Sequence, residues 1–418
     1  METTLPLFKP DAAQTLAFAA FVLLLGFLLK RRIRIVDRLN IPAPVVGGLV
    51  IAVLILLFRK TELAAFEFDN SVRPILELAF FTTIGMGASA GLLRKGGIQV
   101  AIFLALSSFL CLAQNFLGMA IARAFGIHPL IGVMAGSVTL VGGPATGAAF
   151  AKEFEALGVI AADSLAIAAA TFGIVCGGLL GGPVGTWLIE KKVGRNFSTE
   201  AAGGADPSAE GSDSGITIEA DREDTPLLRN LMTLCMAMGA GVVVSGFLKG
   251  LSFTLYDREI KFTLPAYIGA MIVAAVLRNY DDFSGRLRIS PSLMDLIGSL
   301  SLLVYLAITL LRLELWKIAH LAVPLVVILA AQVALMAVFA IAVSFRVMGR
   351  DYEAGVMSAG LVGFALGTTA NALTNMRALV SRYGPAPRSF LVVPLVGAGM
   401  IDFVNSIFVT IFMNTVGR

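Results

Sequence analysis

The chain contains 418 residues, of which 57% are hydrophobic and only 14% are charged, and its mean hydropathy is +0.86. Soluble domains carry about a quarter charged residues and about half apolar ones, so this composition excludes a soluble enzyme and indicates a protein that lives in lipid. The net charge of +4 does not indicate nucleic-acid binding, because the cations stand in short clusters between apolar segments.

Apolar segments divide the chain into two halves of five predicted membrane spans each. In the first half these are about 12–29, 39–58, 76–93, 96–122 and 164–189, and in the second about 230–248, 262–277, 296–311, 318–345 and 389–417.

Between the fourth and fifth span of each half lies a further apolar segment, about 129–155 and 352–381. Both are too rich in Gly, Ala, Ser and Thr for a helix that faces lipid. We therefore predict that each is a re-entrant hairpin, which enters and leaves the membrane on the same face. The sequence thus predicts an all-α polytopic membrane protein.

A polar segment separates the two halves. Residues 190–225 hold many acids and almost no apolar side chains, so they cannot bury a core and are predicted to form a flexible cytoplasmic linker. The predicted organisation is an N-terminal transmembrane half at 1–189, the linker, and a C-terminal transmembrane half at 226–418.

Basic residues predict the orientation of the spans, because cytoplasmic loops are rich in Lys and Arg. Clusters follow the first, third and fifth span, which places both chain termini outside and inverts the second half. The basic residues of the second half then also fall on the cytoplasmic side. The cations are Lys30, Arg31, Arg32, Arg34, Arg38, Arg94, Lys95, Lys191, Lys192, Arg195, Arg278, Arg286, Arg288, Arg346 and Arg350.

The two halves share short sequence matches at a constant offset of 223 residues. Ile41–Ala43 aligns with Leu264–Ala266, and Gly132–Met134 aligns with Gly355–Met357. Identical spacing across both halves predicts an inverted repeat of two five-span halves, each with one re-entrant hairpin. This is the pattern of a secondary transporter whose binding site lies where the halves meet.

The hairpin tips are the predicted binding surface. Non-helical backbone survives at membrane depth only inside protein or around a wet cavity. Half-helices that begin after each tip would offer free N–H groups to an anionic substrate. Small residues that merely permit close helix packing are the alternative interpretation. The residues predicted to contact substrate are Gly142, Gly143, Thr146 and Gly147 in the first hairpin, and Thr368, Thr369, Asn371, Asn375 and Arg377 in the second.

Ionisable groups inside spans are expensive and indicate function. Thirteen uncharged residues precede Asp402 and fifteen follow it, while Asn405 lies one turn later on the same helix face. Asp402 is predicted to be a sodium ligand or a protonatable coupling group. Asp163 begins the fifth span, where it either binds a cation or caps its helix. The predicted metal ligands are Thr139, Asp163, Asp402 and Asn405.

Several motifs resemble those of the bacterial sodium/glutamate symporters. They are Ile41–Gly48, Phe80–Met86, Ala170–Val175, Gly181–Pro183, the two hairpin tips, Phe390–Gly397 and Ile401–Phe403. Together they cover nearly the whole chain apart from the linker. One departure is that the first tip reads Gly-Gly-Pro-Ala-Thr-Gly where the family pattern has Gly-Gly-His-Gly-Thr.

The resemblance implies a sodium-driven symporter for glutamate, or a closely related anionic amino acid, in the bacterial inner membrane. It implies binding at the paired tips, sodium as the coupling ion and a homodimer.

Three other functions are alternatives for such a sequence. A proton-coupled carrier for another small carboxylate would titrate Asp402 or Asp163. An intramembrane aspartyl protease would use the same pair, but it needs a Gly-x-Gly-Asp setting, whereas this chain has Gly399-Met-Ile-Asp402. A passive channel is disfavoured because two inverted tips indicate a closed site.

Overall fold

The computed structural model describes residues 6–193, 226–249, 252–255, 258–261, 265–313, 317–318 and 321–416, and within these ranges the protein is almost entirely helical. The predicted linker lies outside the described residues from residue 194 onward. The prediction of an all-α polytopic membrane protein is confirmed at that level of detail.

The first half runs from β1 to α8. Its elements are β1 (Leu7–Phe8), α1 (Ala12–Arg32), α2 (Arg34–Arg38), α3 (Ala43–Lys60), β2 (Ala65–Phe66), α4 (Arg73–Gly87), α5 (Ala90–Ala124), α6 (Pro129–Val133), α7 (Gly143–Ala156) and α8 (Ala162–Leu188). The short strands β1 and β2 pair in parallel. Single π-helical turns follow α6 (Met134–Val138) and α8 (Ile189–Val193).

The second half runs from α9 to α17. Its elements are α9 (Pro226–Lys249), β3 (Ser252–Leu255), β4 (Arg258–Lys261), α10 (Ala266–Ser284), α11 (Pro291–Leu311), α12 (Ala322–Phe339), α13 (Phe345–Val347), α14 (Tyr352–Leu366), α15 (Thr369–Tyr383), α16 (Pro387–Leu395) and α17 (Ile401–Val416). The strands β3 and β4 form an antiparallel hairpin. Here π-helical turns follow α12 (Ala340–Ser344) and α16 (Val396–Met400).

Seven helical segments in the described ranges are long and apolar enough to cross a membrane. They are Ala12–Arg32, Ala43–Lys60, Gly97–Ala124, Ala162–Val193, Pro226–Leu248, Pro291–Leu311 and Ala322–Val347. Each corresponds to a predicted span. The other three predicted spans fall on the 15-residue α4, on α10 and on the α16–α17 pair, so five spans per half stays a prediction.

The last predicted span, 389–417, is not one continuous helix. It is interrupted by the π-helical turn between α16 and α17, where Gly399 has a φ of +131°. Pro394 lacks a backbone N–H, and glycine tolerates positive φ, so the local sequence favours a break here. The prediction of one unbroken span over 389–417 is wrong at this point, although both residues signal the interruption.

The helices pack in two groups. The first bundle contains α1, α3, α4, α9, α10 and α11, and the second contains α5 to α8, α12 and α14 to α17. Each bundle draws on both halves of the chain. The first bundle takes the three leading long helices of each half, and the second takes the remainder, including both predicted hairpins.

Close backbone approach holds the second bundle together. A Cβ atom on Gly173 of α8 would lie 2.3 Å from the carbonyl oxygen of Leu366, the last residue of α14. Any side chain there would push the two helices apart. The glycine therefore brings α8 against the end of α14, where the second predicted tip begins.

Candidate functional site

A cavity of about 220 Å³ lies where the two bundles meet. Residues around both predicted tips line it, together with the start of α17 and one wall from the first bundle. The lining residues are Pro42, Pro44, Phe80, Val141, Gly142, Gly143, Pro144, Ala145, Leu302, Leu303, Leu306, Phe364, Gly367, Thr368, Thr369, Gly397 and Asp402. We call this the central cavity.

The first tip is the break between α6 with its π-helical turn and the start of α7. The backbone departs from helical geometry at Gly136 and again at Gly143, where φ is +68°. Pro144 stands in the first turn of α7, where its missing N–H removes no helical hydrogen bond. The hydroxyl of Tyr305 on α11 donates to the carbonyl of Ala145 at 3.2 Å, which ties the tip to the first bundle.

The second tip joins α14 to α15 through Gly367 and Thr368. Thr368 caps α15, and its side-chain oxygen accepts from the N–H of Asn371 at 3.3 Å. Thr369 donates its hydroxyl hydrogen to the carbonyl oxygen of Gly397 at 2.7 Å. The second tip is thus anchored to the break in the last predicted span.

The two tips meet at the cavity. A Cβ atom on Gly143 would lie 3.8 Å from the carbonyl oxygen of Gly367, which is van der Waals contact. The first turns of α7 and α15 both begin at the cavity wall, so helix N-termini from both halves of the chain lie beside one space. Such ends favour negative charge.

Of the nine residues predicted to contact substrate, four line the central cavity and five do not. The four are Gly142, Gly143, Thr368 and Thr369. Thr146 and Gly147 are buried in α7 beneath the first tip, where Thr146 packs against Gly142 and Gly147 packs against Ala166 and Thr139. Arg377 is exposed on α15 and takes no part in the cavity lining.

The two asparagines of α15 support the second tip from behind. Asn371 donates its amide to the carbonyl of Ile174 at 2.8 Å, and Asn375 donates to the carbonyl of Gly177 at 3.0 Å. Both asparagines are buried. These bonds pin α15 onto α8, so they position the tip and do not face the cavity.

The four predicted metal ligands are not brought together. Asp402 lines the central cavity, and Asn405 lies one turn further along α17, with its amide donating to the carbonyl of Ser137 at 2.9 Å. The hydroxyl of Thr139 donates to the carbonyl of Met134 at 2.7 Å. Asp163 is occupied by an ion pair elsewhere.

That ion pair involves Arg73, which is not among the predicted site residues. The Arg73 guanidinium contacts both carboxylate oxygens of Asp163, at 2.9 and 3.1 Å, and donates to the carbonyl of Ala148 at 2.8 Å. It lies 5.7 Å from the ring centroid of Tyr305. Arg73 begins α4 of the first bundle, so it links that bundle to α7 and α8 of the second. A cation at the start of an apolar helix was the signal that could have identified it.

A larger cavity of about 410 Å³ opens beside Arg73. Charged groups among its lining residues include Glu77, Lys152 and Glu153. It contains no residue of either tip. The central cavity, although smaller, is the one that joins the interrupted helices of both halves, so we take it as the candidate substrate site.

A small cavity among interrupted helices at the centre of a helical membrane protein is the site architecture of secondary transporters. A family profile described as sodium/glutamate symporter matches residues 8–385, and the chain belongs to that family. It is therefore a transporter and not an enzyme.

Curated relatives agree with this assignment. The sodium/glutamate symporter of Haemophilus influenzae (strain ATCC 51907 / DSM 11121 / KW20 / Rd) is 38% identical over 395 residues, which cover 94% of this chain and 95% of the relative. The sodium/glutamate symporter of Escherichia coli (strain K12) is 38% identical over 413 residues, or 97% of this chain and 98% of the relative.

Neighbouring glycines on α8 provide a matched test of how Asn375 supports the second tip. A Cβ atom on Gly181 would lie 2.0 Å from the Asn375 amide nitrogen, whereas one on Gly182 would meet no atom within 4 Å. Gly181→Ala should lower the free energy of unfolding by roughly 1–3 kcal/mol through overpacking. Gly182→Ala should be neutral or slightly stabilising. Thermal unfolding of both variants in detergent checks this; equal melting temperatures would contradict the proposed support.

A second test separates a structural role of Asp163 from ion binding. Asp163→Asn leaves the buried Arg73 guanidinium without its counter-charge, and since Asp163 is partly exposed we expect a loss of roughly 2–3 kcal/mol. Asp351→Asn is the control, because Asp351 pairs with Arg388 at a more exposed position and asparagine can still cap α14. Similar melting temperatures for the two variants would refute the structural role.

Proposed function

We propose that this chain is a sodium-coupled symporter that carries glutamate into the cell by alternating access. The observation that supports this most directly is the central cavity, which both tips line in a chain that belongs to the sodium/glutamate symporter family. The relatives carry the name sodium/glutamate symporter, and that name favours sodium over the proton-coupled alternative.

The cavity lining suits an anionic amino acid. Helix N-termini at Gly143 and Thr369 offer N–H groups to carboxylates, and Thr368 adds a hydroxyl. Asp402 supplies a carboxylate for the sodium ion of the complex. The apolar wall of proline, phenylalanine and leucine side chains from the first bundle excludes water from the remaining surface.

Within this proposal the predicted site residues divide by role. Those that line the cavity contact glutamate, and those behind it hold the tips in place. The contacting group is Gly142, Gly143, Thr368 and Thr369; the supporting group is Thr146, Gly147, Asn371 and Asn375. Asp402 and Asn405 serve sodium. Arg377 is exposed on α15 and does not line the cavity, so its predicted contact with substrate stays a prediction.

We propose the inverted repeat with re-entrant hairpins as the architecture behind the site. In its favour, α3 begins at Ala43 and α10 at Ala266, which is the 223-residue offset of the sequence matches. The two bundles also draw corresponding helices from both halves. Both termini outside, a cytoplasmic linker, a bacterial inner membrane and a homodimer complete the proposal.

Alternating access would move the second bundle, which carries both tips, against the first. The Arg73–Asp163 ion pair bridges the bundles, so this contact must break in each cycle. Each positive charge that moves inward through 100 mV yields roughly 2.3 kcal/mol. One excess cation per cycle therefore supports nearly two decades of accumulation.

Uptake of radiolabelled glutamate into proteoliposomes tests the function. We expect accumulation with an inward sodium gradient, none when choline replaces sodium at fixed pH gradient, and competition by unlabelled glutamate. Asp402→Asn should abolish sodium-dependent uptake in a folded protein, because a neutral amide replaces the cavity carboxylate.

Asp295→Asn on α11 is the matched control, since Asp295 is an exposed acid outside the cavity lining, and its uptake should match the wild type. Uptake that persists in choline would refute sodium coupling. Unchanged sodium dependence in Asp402→Asn would refute the role of Asp402 alone.

A further inference from the structure

Two buried oxygen atoms behind the first tip lack hydrogen-bond partners. The Ser137 hydroxyl oxygen and the Asn405 amide oxygen, Oδ1, have none in the described part of the chain, and both side chains are fully buried. Buried polar groups are almost always paired, so two adjacent exceptions require an explanation. A bound cation that is coordinated by both oxygen atoms would provide one.

Hydrogen bonds hold the Asn405 side chain against the backbone of Ser137. The Asn405 amide nitrogen donates to the Ser137 carbonyl at 2.9 Å, which brings Asn405 of α17 against the turn that precedes the tip. On the other side, the Ser137 N–H donates to Oδ1 of Asn115 on α5 at 3.0 Å. These bonds also orient both amides, so the free atom of Asn405 is its oxygen. The free atom of Asn115 is a nitrogen, which cannot bind a cation.

A carboxylate stands one helical turn away. Asp402 and Asn405 share a face of α17, and α17 packs against the π-helical turn that carries Ser137. No cation of the described residues forms an ion pair with Asp402. A carboxylate therefore lies on the same helix face as the unpaired Asn405 oxygen.

The backbone is irregular at this place. Gly136, immediately before Ser137, has φ −102° and ψ −131°, which interrupts the helix within the π-helical turn. Irregular backbone at membrane depth is tolerated where it lines a binding site, and broken helices carry the coupling ions of many transporters.

We propose that Ser137 Oγ, Asn405 Oδ1 and the Asp402 carboxylate form a sodium site behind the first tip. The three ligands are a hydroxyl, an amide carbonyl and a carboxylate, and all three are hard oxygen ligands. The single negative charge of the carboxylate balances a monovalent cation. A proton could neutralise Asp402 but would leave the other two oxygens unsatisfied. This inference rests on the proposed symport function and names which residues serve its coupling ion.

The site explains how sodium could prepare the cavity for substrate. Ser137 lies five residues before Gly142, and its carbonyl also accepts from the N–H groups of Val141 and Gly142. A sodium ion that bridges Ser137 and α17 would fix the π-helical turn that directly precedes the first tip. Thr139 and Asp163 are not part of this site, because the Thr139 hydroxyl donates within its own turn and Asp163 pairs with Arg73.

Calorimetric titration of sodium into the purified full chain, in detergent without glutamate and at constant ionic strength with choline, tests the site. Ser137→Ala removes the hydroxyl, and Ser137→Cys keeps the volume but substitutes a soft sulfur. Both should raise the sodium Kd about tenfold or more. Ser107→Ala is the control, because the buried Ser107 hydroxyl bonds within α5, and its Kd should stay within about twofold of the wild type.

Glutamate binding gives a second readout. In the Ser137 variants glutamate affinity should fall at low sodium and recover at saturating sodium. A sodium Kd for Ser137→Ala and Ser137→Cys that equals the control would overturn the site, even if the wild type transports glutamate on a sodium gradient. Conversely, wild-type protein that binds sodium through Ser137 but does not transport glutamate would overturn the proposed function and leave the site in place.

Discussion

Backbone N–H and C=O groups cannot be left unpaired in hydrocarbon, and this constraint determines where the site of this protein lies. The helices break at the first tip, at the second tip and between α16 and α17. All three breaks reach one cavity between the two bundles, where protein surrounds them. Because each break frees backbone groups, each break has to lie inside protein and not against lipid.

The breaks are stabilised by contacts that cross between the two halves of the chain. Asn371 and Asn375 of the second half bind carbonyls of α8, and Asn405 of α17 binds the carbonyl of Ser137 in the first half. Each tip therefore depends on a helix from the other half. Neither half alone supplies the whole lining of the central cavity.

Contacts between the bundles combine apolar packing with polar links. Ala148 of the second bundle belongs to one buried apolar cluster with Val45 of the first, and the Arg73–Asp163 ion pair and the Tyr305 hydrogen bond to the first tip cross the same boundary. Rigid-body movement of one bundle against the other therefore has to exchange these contacts.

The sequence predicted the helical membrane fold and the position of both tips, because hydropathy and glycine-rich polar segments are local signals. Asp402, whose charge is conspicuous in an apolar span, lines the central cavity, and its role stays a prediction. The sequence did not predict that Asp163 pairs with Arg73, since these residues are 90 positions apart and only the packing of α4 on α8 brings them together. The sequence also did not show that Asn371 and Asn375 bind carbonyls of α8, because a polar residue near a tip can face either the cavity or the helix behind it. Pro394 and the neighbouring glycines indicate the break at Gly399. The high hydropathy of the segment nevertheless favoured the prediction of one continuous span.

The central claim is that both tips contact the same substrate molecule. Single cysteines at Pro144 and Thr368, which line the cavity from opposite halves, can be labelled with a thiol reagent after Cys111, Cys176 and Cys235 have been replaced. A cysteine at the exposed Ala378 of α15 is the control. The claim predicts that glutamate with sodium slows labelling at both tip positions and leaves the control unchanged. Protection at only one tip, in protein that still takes up glutamate, would contradict it.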